Sequence, residues 1–381
     1  MRTNSSRRAF LQSTAGLPFL AAPMSATPKA KIESTRVISR NPSHYPAWAT
    51  MARRANGELV AVYSGGREAH VCPFGRVELI RSKDNGQTWS WPRIIMDSPI
   101  DDRDAGILET PKGSLLATTF TSLAYEKVLA GARDWDREKA EKWNAVERAS
   151  TAAERESLLG AWMLRSTDGG LTWSAPYRIP VNSPHGPIAL SGGRLLYAGR
   201  QFGGSGTVIG VWHSLDDGQT WRLLAPIPAR PGDDLANYHE LHAVEAADGR
   251  IVAHIRNHNS PNERETLQSE SRDGGKTWSV PRAIGVWGLP SHLLLLSGGR
   301  LLMSYGYRRA PRGNHARISE DHGRTWSEPV VLSDDGTGDI GYPSTVELPN
   351  GEMLTLWYEA MPEGPAAQAF SVLRLARWKL V

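Results

Sequence analysis

Glu240 and Tyr342 lie far apart in the chain but occupy the same place in a repeated pattern. A phenol hydroxyl is a weak nucleophile near neutral pH, and a carboxylate within reach can take its proton as it attacks. The pattern is a turn signal, Gly-x-Leu/Ile/Met-Leu/Val, that occurs six times with glycines at Gly57, Gly113, Gly193, Gly249, Gly299 and Gly351. Counting nine residues back from each glycine gives Trp48, Asp104, Pro184, Glu240, Pro290 and Tyr342. Arg103, His185, His239 and His292 stand beside these positions. Ionisable groups thus recur at one strand position in otherwise apolar strands, which is the ring of groups a polar substrate pocket needs.

Such a ring needs strands that converge on a common opening. Apolar and alternating runs of strand length flank each of the six turns. A second motif, Ser-x-Asp-x-Gly-x-Thr-Trp, occurs five times, from Ser82, Ser166, Ser214, Ser271 and Ser319. A unit of four short strands repeated in this way closes into a propeller, so the expected fold is all-β, a six-bladed β-propeller. The run Lys31 to Ser39 is expected to pair with the last blade and close the ring, removing its open edge. The segment from about 124 to 159 breaks the repeat between the second and third strands of blade two. Rich in Ala, Glu, Lys and Arg and free of Pro, it reads as one or two helices, either a solvated decoration or a lid.

Composition agrees with many short strands joined by tight turns: 381 residues include 37 Gly, 25 Pro and 14 Trp. The formal net charge of +4 owes part of its excess to Arg2, Arg7 and Arg8. The remainder is near neutral with interspersed signs, which gives no reason to expect a nucleic-acid partner. Cys72 is the only cysteine, so neither an intrachain disulfide nor a cysteine-based metal site is possible. Ser6-Arg7-Arg8-Ala9-Phe10-Leu11 has the twin-arginine form, followed by an apolar stretch from Ala15 to Ala22 too short to span a bilayer. Residues 1–30 therefore read as an export signal and 31–381 as the propeller, periplasmic or extracellular and without a membrane span.

The five Ser-x-Asp boxes resemble the Asp boxes of the sialidase (neuraminidase) superfamily, and the resemblance covers nearly the whole of 31–381. It implies structural roles for Asp84, Asp168, Asp216, Asp273 and Asp321, away from the substrate. HELHAVEAADGRIVAHIR is similar to the sialidase segment with a glutamate before an inner strand and an arginine at the end of the next, placing Glu240 and Arg256 there. GDIGYPSTVELPNGEMLTLWYE is similar to the segment of the nucleophilic tyrosine, which implies Tyr342 as nucleophile and Glu359 as a supporting carboxylate. Arg312 falls on a carboxylate-clamp arginine, and Asp104 on an aspartate lining the pocket. Two positions depart from the pattern. The first clamp arginine is replaced by Ala47, with His44 or Arg67 as candidate substitutes. The loop of the acid/base aspartate reads GGREAHVCPFG, which offers Glu68 or His70 instead.

The resemblance implies a retaining, exo-acting glycosidase without a cofactor, acting on a terminal acidic or otherwise modified sugar of a glycan or glycoconjugate. Tyr342, Glu240, His70 and Asp104 are the candidate catalytic groups. Arg256, Arg312, Arg67, Arg103, His185, His239 and Trp48 are candidates for binding the sugar. For Arg67 and Arg103 structural ion pairing stays open, and for Trp48 plain packing. Two other functions compete: a carbohydrate-binding propeller without catalysis, and a His-dependent polysaccharide lyase. The latter draws on His44, His70, His185, His239 and His292, although no tight spacing such as H-x-x-x-H points to a metal.

Overall fold

The computed structural model describes residues 28–39, 44–204, 206–336, 338–361 and 370–381. The expected export signal lies almost wholly outside them. Strands form six antiparallel sheets, five of them built from consecutive segments, arranged as the blades of a propeller. The innermost strands are Ala47–Arg53, Asp101–Glu109, the pair Val181–Asn182 and Ile188–Ala189, then Tyr238–Glu245, Leu289–Leu295 and Ile340–Glu347. The sixth blade takes its outermost strand from the start of the chain: Ala30–Val37 pairs with Phe370–Leu380, from Ala30 opposite Leu380 to Val37 opposite Arg374. This closure explains five boxes for six blades. A box needs a hairpin between third and fourth strands, and in blade six those strands come from opposite ends of the chain.

Apolar side chains on neighbouring blades form the core. Val60, Val62 and Leu79 of blade one, for example, meet Ile107, Leu115, Ala117 and Leu164 of blade two. Each such side chain is worth roughly 1.5–3 kcal/mol when fully buried. On the hairpin face, glutamates ending three inner strands cap the preceding blade. Glu109 accepts from Arg54 Nε at 2.9 Å, Glu245 from Ser191 Oγ at 3.1 Å and Glu347 from Ser297 N at 2.6 Å. The boxes repeat one geometry. In the first, Asp84 accepts from Thr88 N at 2.9 Å and Thr88 Oγ1 at 2.6 Å, while Gly86 N donates to Ser82 Oγ at 2.8 Å. Burial is the largest single effect and raises the Asp84 carboxyl, but these donors together outweigh it and hold the group down at about 2.

The inner strands share an irregularity that creates the site. Five of them shift register near their start, between Ala47 and Thr50, Arg103 and Gly106, His239 and His242, Leu289 and Ser291, and Gly341 and Ser344. Such a bulge leaves an unpaired residue and re-aims its side chain. At four of these bulges the residue is left-handed: Trp48 (φ 53°), Asp104 (φ 43°), Glu240 (φ 44°) and Tyr342 (φ 54°). That conformation costs an L-residue roughly 1–2 kcal/mol, which the surrounding sheet must offset. Pro184 and Pro290 hold the corresponding places in blades three and five, and the proline ring forbids positive φ. In blade three the inner strand is split around Pro184.

Three helices stand between the second and third strands of blade two: α1 (Ala124–Ala130), α2 (Arg137–Arg148) and α3 (Ala152–Leu158). Asp136 caps α2 by accepting from Lys139 N at 2.8 Å, and Thr151 with Glu154 forms a capping box on α3. Their apolar side packs on the loop between Gly65 and Arg76 of blade one. Trp143 and Tyr125 are buried there with Cys72 and Ile100, and Phe74 packs against them.

Candidate functional site

The left-handed bulges of blades four and six direct Glu240 and Tyr342 at each other across the opening. Tyr342 Oη donates to Glu240 Oε1 at 2.6 Å. Arg256, at the end of the second strand of blade four, donates from Nη1 to Glu240 Oε2 at 2.6 Å and to the Tyr342 hydroxyl at 3.3 Å. His258 fixes that guanidinium by accepting from Arg256 Nε at 2.8 Å. Burial would raise the Glu240 carboxyl, but Arg256 outweighs it and holds the group below its ordinary range. Burial, followed by the Glu240 charge, pushes the Tyr342 phenol well up. The resting state is therefore a neutral phenol donating to an ionised carboxylate, poised for proton transfer only when an electrophile reaches the hydroxyl oxygen. Gly341 brings Tyr342 there. It has φ +127°, and a side chain on it would meet Gly306 Cα at 3.2 Å.

Beside this pair is a group that the nine-residue count did not reach. Asp339 Oδ2 accepts from Tyr45 Oη at 2.9 Å and Tyr358 Oη at 2.8 Å, and lies 2.6 Å from His70 Nδ1. Its Oδ1 is 3.1 Å from Arg308 Nη2. Burial opposes its charge, but His70 and Arg308 win, so Asp339 is an anion. Arg308 also acts electrostatically on both Glu240 and Tyr342. Arg308 thus takes the place at the cluster expected for Arg312, which stands exposed at the start of its strand, with the Gly338 carbonyl 3.5 Å from Nη1.

Blades one and two form a wall. Arg67 is fully buried, with both terminal nitrogens on Asp101, Nη2 to Oδ2 at 3.0 Å, and Nη2 also donating to the His70 carbonyl at 2.7 Å. Of the two roles left open for it, clamp or structural pairing, this geometry is that of a structural ion pair. Trp48 is 1% exposed, with the guanidinium carbon of Arg67 at 4.7 Å and that of Arg103 at 4.5 Å from its ring centroid. That burial makes it packing and leaves no exposed face for a sugar. Arg103 reaches Asp101 Oδ2 at 3.4 Å and His70 Nε2 at 3.4 Å. Asp104 accepts no hydrogen bond from a described residue. Burial, opposed by Arg103 and aided by Glu240, pushes its carboxyl up to about 7.

Other expected residues are placed elsewhere. His185 is buried in the axis of the channel with His242 and His292, ring centroids 5.4 Å and 5.1 Å away, at the floor of a funnel that runs along the inner strands towards their hairpin ends. The inner strand is split there, and His185 lies with His242 and His292 and not with Glu240 and Tyr342. His239 flanks Glu240 and packs on His258, ring centroids 5.0 Å apart; burial and then His258 lower it to about 4, so it is neutral. His44 lines a cleft with Tyr63, Arg76 and Trp91. His44, His70 and His239 are thus separated from the His185 group, and among the described residues no cluster of three or more His, Cys, Asp or Glu is arranged to hold a metal. Glu359 faces Trp357 at 3.2 Å and Arg374 at 3.2 Å, away from Tyr342, because Tyr358 takes the strand face towards the opening. Glu68 accepts from Trp143 Nε1 at 3.2 Å and pairs with Lys142, so it anchors α2. Among the described residues no helix is long and apolar enough to cross a membrane.

Comparison with known proteins agrees with this architecture. A sialidase from Clostridium perfringens is 26% identical over 293 residues, 72% of this chain and 60% of that protein. The chain spans about 60% of the length of the curated relatives it matches. Among solved structures, a Dyadobacter fermentans protein of unknown function aligns with TM-score 0.75 at 24% identity, covering 92% of this chain and 99% of that one. The NanB sialidase from Streptococcus pneumoniae aligns with TM-score 0.67 at 16% identity, covering 91% and 71%. At these identities the structural likeness shows the fold. Residues 143–355, more than half of the chain, match the BNR repeat-like domain. This six-bladed propeller, related to the sialidases, therefore belongs to the BNR repeat-like domain family.

Proposed function

We propose that the chain is an exo-acting glycoside hydrolase in which Tyr342 is the nucleophile, Glu240 its base and Arg256 the group that keeps Glu240 ionised. The observation that carries this reading is the 2.6 Å hydrogen bond from the Tyr342 hydroxyl to Glu240 Oε1, with Arg256 on both partners. A tyrosine needs an adjacent base to attack, and this contact supplies one. The glycone is a terminal acidic or otherwise modified sugar. Ordinary sialosides are poor substrates, because Ala47 offers no guanidinium and Arg67 is spent on Asp101. The test is a screen of the purified protein against aryl glycosides of sialic acid, uronic acids and neutral sugars. Turnover of at least one, lost by about a hundredfold or more in Tyr342→Phe and in Glu240→Gln, is expected. Turnover that survives Tyr342→Phe with the fold intact would refute it. We also propose export through residues 1–30 by the twin-arginine route, on the strength of Arg7 and Arg8; export of a reporter fusion unaffected by changing both to Lys would contradict it.

A further inference from the structure

The loop from Gly65 to Gly75 is tied at three points to three different elements. Arg67 holds it to Asp101 of blade two, Glu68 to Trp143 and Lys142 of α2, and His70 to Asp339 of blade six. Arg67 is fully buried, yet the His70 side chain keeps 48% of its exposure. The loop therefore presents one titratable group to the opening. The ring stands edge-on to Trp48 at 5.0 Å and Tyr45 at 6.1 Å, and Trp48 in turn packs edge-on to Tyr342 at 6.4 Å. A proton on Nδ1 donated to the Asp339 anion leaves Nε2 on the other edge of the exposed ring, with Arg103 as its nearest charged neighbour. The charged groups around the imidazole are Asp339 and, behind it, Arg308; Arg103, whose Nη2 is 3.4 Å from Nε2; and Glu68 with Lys142 on the far side of the loop.

We infer that His70, oriented by Asp339, is the acid that protonates the departing aglycone oxygen and the base that later takes a proton from water. The inference rests on the Tyr342 and Glu240 reading above. In the first step Tyr342 Oη bonds to the anomeric carbon, its proton passes to Glu240, the glycosidic C–O bond breaks, and the leaving oxygen takes the Nε2 proton of His70. In the second step water attacks the anomeric carbon and gives a proton to His70; the bond to Tyr342 breaks, and the phenolate recovers its proton from Glu240. Protons and electron pairs balance over the two steps. An exo-acting enzyme buries the glycone and leaves the aglycone at the mouth, so its acid belongs at the rim. His70 keeps 48% of its side-chain exposure, whereas the rival Asp104 is 8% exposed. Asp339 touches no reacting atom and is a positioning residue.

The test compares leaving groups, using the glycone that the aryl glycoside screen selects. A 2,4-dinitrophenolate departs without a proton; a methoxide does not. His70→Asn is expected to lose about a hundredfold or more on the methyl glycoside, the low end for a general acid, and less than about tenfold on the dinitrophenyl glycoside. Tyr342→Phe is expected to lose both activities, so failure of the underlying mechanism shows itself separately. Imidazole nitrogen NMR of the substrate-free protein is expected to show a proton on Nδ1 of His70 that is hydrogen-bonded in the wild type and released in Asp339→Asn. Equal losses on the two glycosides in His70→Asn, the leaving-group pattern in Asp104→Asn instead, or an unprotonated Nδ1 would each overturn the assignment.

Discussion

On the blade-four and blade-six side of the opening, Glu240 holds Tyr342 at 2.6 Å and Arg256 at 2.6 Å, and the three remain partly accessible or directed at the opening. On the blade-one and blade-two side, Arg67 and Asp101 hold each other in full burial, and Arg103 lies on Trp48. Both sides use the same bulge and the same left-handed backbone. What differs is the partner that the neighbouring strand supplies. The end of the second strand in blade four brings an arginine that fits a carboxylate and a phenol together. Blade one brings a tryptophan, and the arginine that follows its second strand turns inward. A ring position thus fixes where a side chain points, while its partner decides whether it is held at the opening or packed away.

The sharpest way to break this comparison is Arg67→Ala. It would strand Asp101 as an uncompensated buried charge, and unfolding by urea is expected to show a loss of about 3–5 kcal/mol. An unchanged midpoint accompanied by lost sugar binding would make Arg67 a clamp and erase the difference between the two sides.

Arg308 and Arg312 sharpen it on the other side. A charge-assisted contact at a closed site is worth about 1.5–3 kcal/mol, so Arg308→Ala is expected to lower kcat/KM by roughly tenfold to a hundredfold. Arg312→Ala, at an exposed position, is expected to cost less than about fivefold. The reverse order would place Arg312 at the substrate and Arg308 in a supporting role.

The smallest effect belongs to the boxes, which lie outside the comparison and set its baseline. Asp321 accepts from Thr325 N at 2.9 Å and Thr325 Oγ1 at 2.7 Å. Burial opposes the charge, but these donors prevail and hold its carboxyl below the ordinary range. Asp321→Ala is expected to cost about 1 kcal/mol with kcat/KM unchanged. A carboxyl lowered in the folded state stabilises above the ordinary aspartate range and loses that contribution as pH falls through its folded value. The difference between mutant and wild type should therefore shrink in acid; a difference that persists there would assign the effect to packing.

The blades were legible because both repeats are covalently local: a glycine at positive φ and a box closed by its own Asp, Ser and Thr need nothing from elsewhere. The nine-residue count found Trp48, Asp104, Glu240 and Tyr342, and all four carry the left-handed bulge. It could not tell that Trp48 would be buried against two arginines, since Arg67 and Arg103 come from different blades. His185 was misplaced because Pro184 holds the bulge position. Asp339 was reachable by the same ruler: twelve residues before the turn glycines lie Tyr45, Asp101 and Asp339, of which Tyr45 and Asp101 are buried and Asp339 is partly exposed. The extra residue of a bulge lets positions three apart face the same way, where a regular strand would need two. Seven residues beyond Gly249 and Gly351 likewise give Arg256 and Tyr358. Arg308 lies beyond its strand in a loop, where no such count holds.

The central claim, that Tyr342 forms the covalent bond, is tested most directly by trapping. A glycosyl fluoride of the selected glycone, with a second fluorine beside the anomeric carbon, loads the enzyme through its good leaving group and then turns over slowly. Intact mass followed by peptide mapping is expected to show one glycosyl unit per chain on Tyr342, with no label in Tyr342→Phe. A label on Glu240 or His70, or turnover of the unfluorinated substrate with inverted stereochemistry and no label, would contradict the account.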